Sequence, residues 1–380
     1  MAGYLLVIGV AVLLTAALMP ATIRLATRLG VLAAPDADRR LHERATPLLG
    51  GVAMCVGFIV TLGVASRIPQ FRDMFNSSSE PLGIAIAAVI ITGVGLLDDV
   101  VELSAPAKLA GQVLSGSTLY LFGTTLDQIP LPLGLGTIQI SADLTPLVTV
   151  LWVVGMANAI NLIDGLDGLA AGLVAVASGA FLLYGSNLFS NQLITGSNVG
   201  PLVAALLLGC CLGFLPFNFS PAKIFMGDAG AMLLGLLLAA STMVVGGRAI
   251  QVPVARQTYF FFAPLFIPII ILAVPIGDTL RLVVTRTIRR SGVATADRDH
   301  LHYRLVELGH GPRRTVIILW SLTAVFSGFA LAPLFFRSRL VLVPLVLALV
   351  VVVWFAGFHP DLRAERRRER EESRILDTNL

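Results

Sequence analysis

Apolar runs of about membrane length recur along the chain, at roughly 4–22, 50–66, 81–97, 108–123, 145–160, 169–184, 199–216, 229–246, 259–277, 315–333 and 340–357. A helix needs about 20 such residues to cross a bilayer, and backbone polar groups in hydrocarbon must be paired within their own segment. The expected fold is therefore an all-α polytopic membrane protein of about eleven transmembrane helices. Composition agrees: 56% of the 380 residues are hydrophobic and 13% charged, against about 25% charged in soluble domains. Cys55, Cys210 and Cys211 lie inside apolar runs, with no spacing that suggests a disulfide frame or a zinc site. The first run lacks a basic start and a cleavage site, so it is expected to be retained. Residues 1–357 read as one membrane domain and 358–380 as a charged cytoplasmic tail.

Charge decides orientation. Of the 27 lysines and arginines, 21 fall on one side if the runs alternate across the membrane. That side is expected to be cytoplasmic, with the N-terminus outside and the C-terminus inside a bacterial cytoplasmic membrane. The outward loops are bland, and 123–145 reads equally as a short β-hairpin or an irregular loop. Run 259–277 carries Pro264, Pro268 and Pro275 and should be kinked. Beyond it, residues 280–290 have the spacing of an amphipathic helix whose arginines meet anionic lipid.

The polar clusters all fall on the expected cytoplasmic side. In Asn158-Ala159-Ile160-Asn161-Leu162-Ile163-Asp164-Gly165-Leu166-Asp167-Gly168, amides and carboxylates recur every third residue between apolar runs. Such groups at mid-bilayer cost roughly 2.5–3.5 kcal/mol each, so they belong at a water-facing end. Steps of three on a helix turn back by about 60°, giving a slanting polar stripe, which Gly165 and Gly168 would let break around a ligand.

Asp98-Asp99 ends the third run; neighbours on a helix diverge, so one carboxylate can face a site while the other caps or orients. Alone, the pair would read as well as a solvated helix end. Lys108 is either an interface anchor or a phosphate neutraliser. In Asn218-Phe219-Ser220-Pro221-Ala222-Lys223-Ile224-Phe225-Met226-Gly227-Asp228, the proline and glycine demand a turn, and Asp228 either caps the following helix or binds a hard cation. Mg²⁺ takes one or two carboxylates plus substrate phosphates. His300 and His302, with Arg298 and Arg304, suit phosphate binding better than zinc. The stretch from Arg39 to Gly51 adds a second basic loop before a Gly-Gly helix entry. Carboxylates, basic groups, amides and an aromatic on one face point to phosphoryl transfer at the membrane surface, a chemistry of positioning and charge neutralisation.

These stretches resemble the polyprenyl-phosphate N-acetylhexosamine-1-phosphate transferases. The matching residues are Leu97-Asp98-Asp99, Lys108-Leu109-x-Gly111-Gln112, the Asn158–Gly168 stretch, Asn218 to Gly230, and His300-x-His302, in family order. The resemblance implies transfer of a sugar-1-phosphate from a UDP-N-acetylhexosamine to a polyprenyl phosphate, releasing UMP, with Mg²⁺ or Mn²⁺ in its place. Carried over, Asp98 looks like the base for the lipid phosphate, with Asp99 its neighbour in the site. Asp228, with Asn161, looks like the metal ligand. Phe225 would stack on uracil, while Asn218 and Asp164 would bind the uridine. Asn158 and Asp167 belong to the same pocket. Lys108, Arg298, Arg304 and the His300/His302 loop would hold phosphates. Direct attack by the lipid phosphate is preferred to an aspartyl intermediate. Asp297-Arg298-x-His300-x-His302 resembles the N-acetylglucosamine branch, although Tyr303 stands where that branch often has histidine. The alternatives are a phospho-N-acetylmuramoyl-pentapeptide transferase or, in a different class, an ion-coupled transporter with midplane acids and an internal repeat. The expected partners are the nucleotide sugar, the polyprenyl lipid and the membrane, with no nucleic acid; a homodimer stays open.

Overall fold

The computed structural model describes residues 1–33, 45–130, 137–191, 194, 197–246, 310–335, 340 and 342–358. Its helices are α1 (Ala2–Leu29), α2 (Gly50–Ala65), the short α3 (Arg72–Ser77), α4 (Glu80–Val101), α5 (Ala105–Leu121), α6 (Thr145–Ile163), α7 (Leu169–Ser190), α8 (Gly200–Asn218), α9 (Gly227–Gly246), α10 (Gly311–Phe335) and α11 (Leu342–Phe358). Helices α4, α5, α6 and α8 each carry a proline in their first turn, where its missing N–H has no helical partner to lose.

Among the described residues, six helices are long and apolar enough to cross a membrane: α1, α4, α6, α7, α8 and α9. A seventh arises if α2 and the segment Pro69–Ser77, which meet at 91°, count as one bent span. The fold is thus helical and polytopic, with six or seven such spans among the described residues against about eleven expected over the whole chain. Helices α2, α5 and α11 are only 16 or 17 residues long. The run 259–277, the amphipathic stretch 280–290 and the tail from 359 lie outside the described residues.

Helix α9 is the axle of the bundle. Of its membrane-length window 94% is buried, against 22% for α1. It packs against α4, α6, α8, α2 and α7. A helix apolar all round needs such a position in protein, whereas the exposed leucines of α1 (Leu5, Leu6, Leu13) suit lipid.

Contacts between the helices separate two ends of the bundle. At one end Gly3 and Tyr4 of α1 meet Gln70 and Phe71, and Ser79 donates to the Phe122 carbonyl. There β3 (Gln128–Pro130) pairs antiparallel with β4 (Thr137–Gln139), the hairpin alternative for 123–145. At the other end β1 (Leu32–Ala33) pairs with β2 (Thr46–Pro47), a pairing the sequence reading missed. Pro47 accepts from the Phe225 N–H at 2.8 Å. The C-terminal ends of α4, α6 and α8 and the N-terminal ends of α2, α5, α7 and α9 gather at this second end.

Candidate active site

Three of these helix ends carry a charge cluster. Asp98 comes from the last turn of α4, Lys108 from the first turn of α5 and Asp228 from the first turn of α9. The Lys108 Nζ lies 2.6 Å from Asp98 Oδ2 and 2.5 Å from Asp228 Oδ2. Their side chains keep 23%, 13% and 26% of their surface exposed, so a solute can reach them although the helices behind are buried. In this structure both carboxylates hold Lys108.

The neighbouring carboxylate has a different position. Asp99 Oδ1 accepts the Asp228 N–H at 2.8 Å and Oδ2 accepts the Ala229 N–H at 3.2 Å. Asp99, not Asp228, therefore satisfies the orphan donors at the start of α9, where a negative charge also suits the helix dipole. Asp99 thus fixes the backbone of Asp228, the capping or orienting role expected for one of the two carboxylates. The close approach needs glycine twice. A Cβ at Gly227, whose φ is 66°, would collide with the Asp99 carboxylate, and one at Gly95 would strike the backbone of Ala229.

The polar stripe does not continue along one helix. Helix α6 stops at Ile163, Asp164 sits at its C-terminus, and Gly168 with φ 78° opens α7. Two amides expected to bind substrate are instead engaged by the scaffold. Asn158 Nδ2 donates to Gln112 Oε1 at 2.7 Å and to the Val154 carbonyl at 2.8 Å. Its Oδ1 accepts from Gln112 Nε2 at 3.3 Å, which ties α5 to α6. Asn218, only 2% exposed, accepts the Gly168 N–H at 2.9 Å and donates to the Ile224 carbonyl at 3.0 Å. With both ends of the amide paired and almost no exposure, Asn218 staples the 164–168 turn to the 219–226 turn. Asp167 adds a second staple by accepting the Ala222 N–H at 3.0 Å.

Replacing Asn218 with alanine leaves a buried N–H and a buried carbonyl unpaired. Each orphaned group costs about 1–3 kcal/mol, so a marked fall in melting temperature is expected by thermal unfolding of the purified protein; an unchanged melting temperature would contradict the staple.

Phe225 is clamped through its peptide: its N–H donates to Pro47, and its carbonyl accepts the Gly50 N–H at 3.0 Å, while Gly51 donates to Met226 at 2.9 Å. The ring is half-buried. Asn161 and Asp164 are partly exposed, and their side chains make no hydrogen bond to a described residue. Burial, and then the negative charges of Asp228, Asp99 and Asp167, push the Asp164 carboxyl up to about 7. Asp164 therefore lies within electrostatic reach of the cluster.

Two supports had no signal in the sequence. Arg313 Nε donates to the Ser220 carbonyl at 2.7 Å. Trp320 packs on Phe219 with ring centroids 5.7 Å apart and donates to the Leu169 carbonyl at 3.3 Å. Both brace the same turn from α10, over separations of 93 and 151 residues. Arg298, His300, His302 and Arg304, and the basic stretch 39–44, lie outside the described residues.

Among the described residues no three His, Cys, Asp or Glu side chains form a cage for a metal. The oxygen-only donor set does suit a Mg²⁺-like ion, which keeps waters and needs only one or two carboxylates. An ammonium held at 2.5 and 2.6 Å between Asp98 and Asp228 shows that this pair accommodates positive charge.

The sequence model of glycosyl transferase family 4 matches residues 81–246, which span α4 to α9. The decaprenyl-phosphate N-acetylglucosaminephosphotransferase of Mycobacterium tuberculosis is 35% identical, over 89% of this chain and 84% of the relative. The probable undecaprenyl-phosphate N-acetylglucosaminyl 1-phosphate transferase of Bacillus subtilis is 31% identical, over 88% and 85%. A phospho-N-acetylmuramoyl-pentapeptide-transferase of Mycobacterium ulcerans is 30% identical, over 86% and 96%.

Proposed function

The chain belongs to glycosyl transferase family 4, in the branch of the polyprenyl-phosphate N-acetylglucosamine-phosphotransferases, and from that premise we propose what its site does. It transfers N-acetylglucosamine-1-phosphate to a polyprenyl phosphate in the membrane. The donor is UDP-N-acetylglucosamine, the leaving group UMP, and the site opens to the cytoplasm. The observation that carries this reading is the convergence of Asp98, Lys108 and Asp228 from three helix ends.

An oxygen of the lipid phosphate attacks the β-phosphorus of the donor, and the bond from that phosphorus to the bridging oxygen of UMP breaks. Asp98 accepts any proton still on the lipid phosphate and orients it for attack. Lys108 offsets negative charge on the transferred phosphoryl group. Asp228 and Asn161 would hold Mg²⁺, which would supply charge neutralisation of the diphosphate. Phe225 stacks on the uracil, and Asp164 lines the nucleotide pocket. Fixed dipoles and charges of this kind act through preorganisation, which the Asp99, Asp167 and Asn218 staples provide.

Asp164 gives the reading a pH signature. Because its carboxyl is raised to about 7, it gains a proton as pH falls through that value and the pocket loses a negative charge. Apparent Mg²⁺ affinity is expected to weaken below pH 7, and Asp164→Asn to flatten that dependence in a metal titration at several pH values. A dependence of undiminished size in the variant would place it on Asp99, whose buried carboxyl is likewise raised to about 7, rather than on Asp164.

The direct test offers purified protein UDP-N-acetylglucosamine or UDP-N-acetylmuramoyl-pentapeptide with polyprenyl phosphate, with and without Mg²⁺. Metal-dependent lipid product from the first donor alone is expected. Product from the second alone would transfer the chain to the muramoyl branch, and product from neither would end the transferase reading.

A further inference from the structure

We infer that Lys108 is a built-in counter-cation of the Asp98–Asp228 pair, which the catalytic metal must displace from Asp228. The inference rests on the reading above that Asp228 holds a divalent cation. It goes beyond that reading because it makes lysine and metal competitors for one carboxylate.

The geometry leaves little choice. One ammonium touches both carboxylates, at 2.6 and 2.5 Å, so their Oδ2 atoms are at most about 5 Å apart, where like charges repel strongly in a partly buried site. The backbone of Asp228 is fixed by Asp99 and α9, and its carboxylate is met by Lys108. Asp98 is likewise held, its Oδ1 accepting the Leu103 N–H at 2.9 Å. Asp99 is held by the backbone N–H groups of Asp228 and Ala229. Among the described residues Lys108 is thus the ammonium that keeps the pair together.

A divalent cation brings twice the charge to the same oxygens, but it must first break the contact between Lys108 and Asp228. Lysine suits such an exchange, being a compact charge on a flexible stem. Released from Asp228 and still beside Asp98, its ammonium is available to the phosphates that arrive with the donor. The ion pair therefore keeps the substrate-free site closed to metal at low concentration and lends its charge to the diphosphate once the metal is in.

By reciprocity, metal binding and the Lys108–Asp228 contact weaken each other by the same factor. The test is Mn²⁺ binding to the full-length protein without substrates, followed by the loss of the free-ion paramagnetic resonance signal. Lys108→Gln is expected to bind Mn²⁺ at least about fivefold more tightly than wild type, the low end of ordinary coupling between two sites, while Lys108→Arg stays near wild type. As a second measurement, the rise in melting temperature on adding Mn²⁺ should be larger in Lys108→Gln than in wild type. Binding in Lys108→Gln that depends on Asp228 but is unchanged or weaker than wild type would overturn the competition alone. Mn²⁺ binding undiminished in Asp228→Ala would instead overturn the metal site itself.

Discussion

Asp228→Ala is expected to lower metal-dependent transfer by at least about 10³-fold, since it removes a preorganised charge from the transition state and the carboxylate that holds its counter-ion. The fold should survive. The start of α9 is capped by Asp99 through the backbone of residues 228 and 229, which alanine retains, and Lys108 still has Asp98 as a partner. A melting temperature close to wild type together with lost activity is the expected pair of results, measured by thermal unfolding and by lipid product at saturating Mg²⁺. Wild-type rates would cancel the role given to Asp228.

Asp98→Asn is expected to lower kcat by about 10²–10⁴-fold, the usual worth of general acid–base catalysis, with KM for the nucleotide sugar largely kept. Asparagine keeps the Oδ1 that accepts the Leu103 N–H, so the end of α4 stays in place. What it removes is a proton acceptor and half of the Lys108 ion pair. Burial raises the Asp98 carboxyl, but its contacts with Asp228 and Lys108 bring it below the usual carboxylate range, so at saturating Mg²⁺ its acidic limb should lie well to the acid side of the Asp164 transition near 7 and be absent from the variant's pH–rate profile. A variant with the acidic limb intact would assign the base elsewhere.

Local signals in the chain reached far into this architecture. Apolar runs mark every described helix but the short α3, most to within four residues, with α1 and α7 ending seven and six residues beyond theirs, because hydrocarbon leaves a segment of that length no other backbone solution. The divergence of Asp98 and Asp99 also follows from helix geometry alone, and the close approach of α4 and α9 explains why Gly95 and Gly227 stand where they do. Long-range pairing was not legible. Asn158 and Asn218 read as ligand-binding amides because they lie beside carboxylates, yet their partners are Gln112 and Gly168, 46 and 50 residues away. Trp320 looks like one more aromatic in an apolar run until its indole is found against Leu169. Sequence periodicity tells which face of a helix is polar. It does not tell which polar groups meet substrate and which pair with each other.

The most direct measurement follows phosphorus. With UDP-N-acetylglucosamine labelled at the β-phosphate, purified protein, polyprenyl phosphate and Mg²⁺, the label should enter the organic-extractable lipid while unlabelled UMP is released. Label recovered in soluble UDP, with the sugar alone on the lipid, would mean that the bond to the sugar rather than the diphosphate is cut, and would contradict the arrangement of Asp98, Lys108 and Asp228 as a phosphoryl-transfer site.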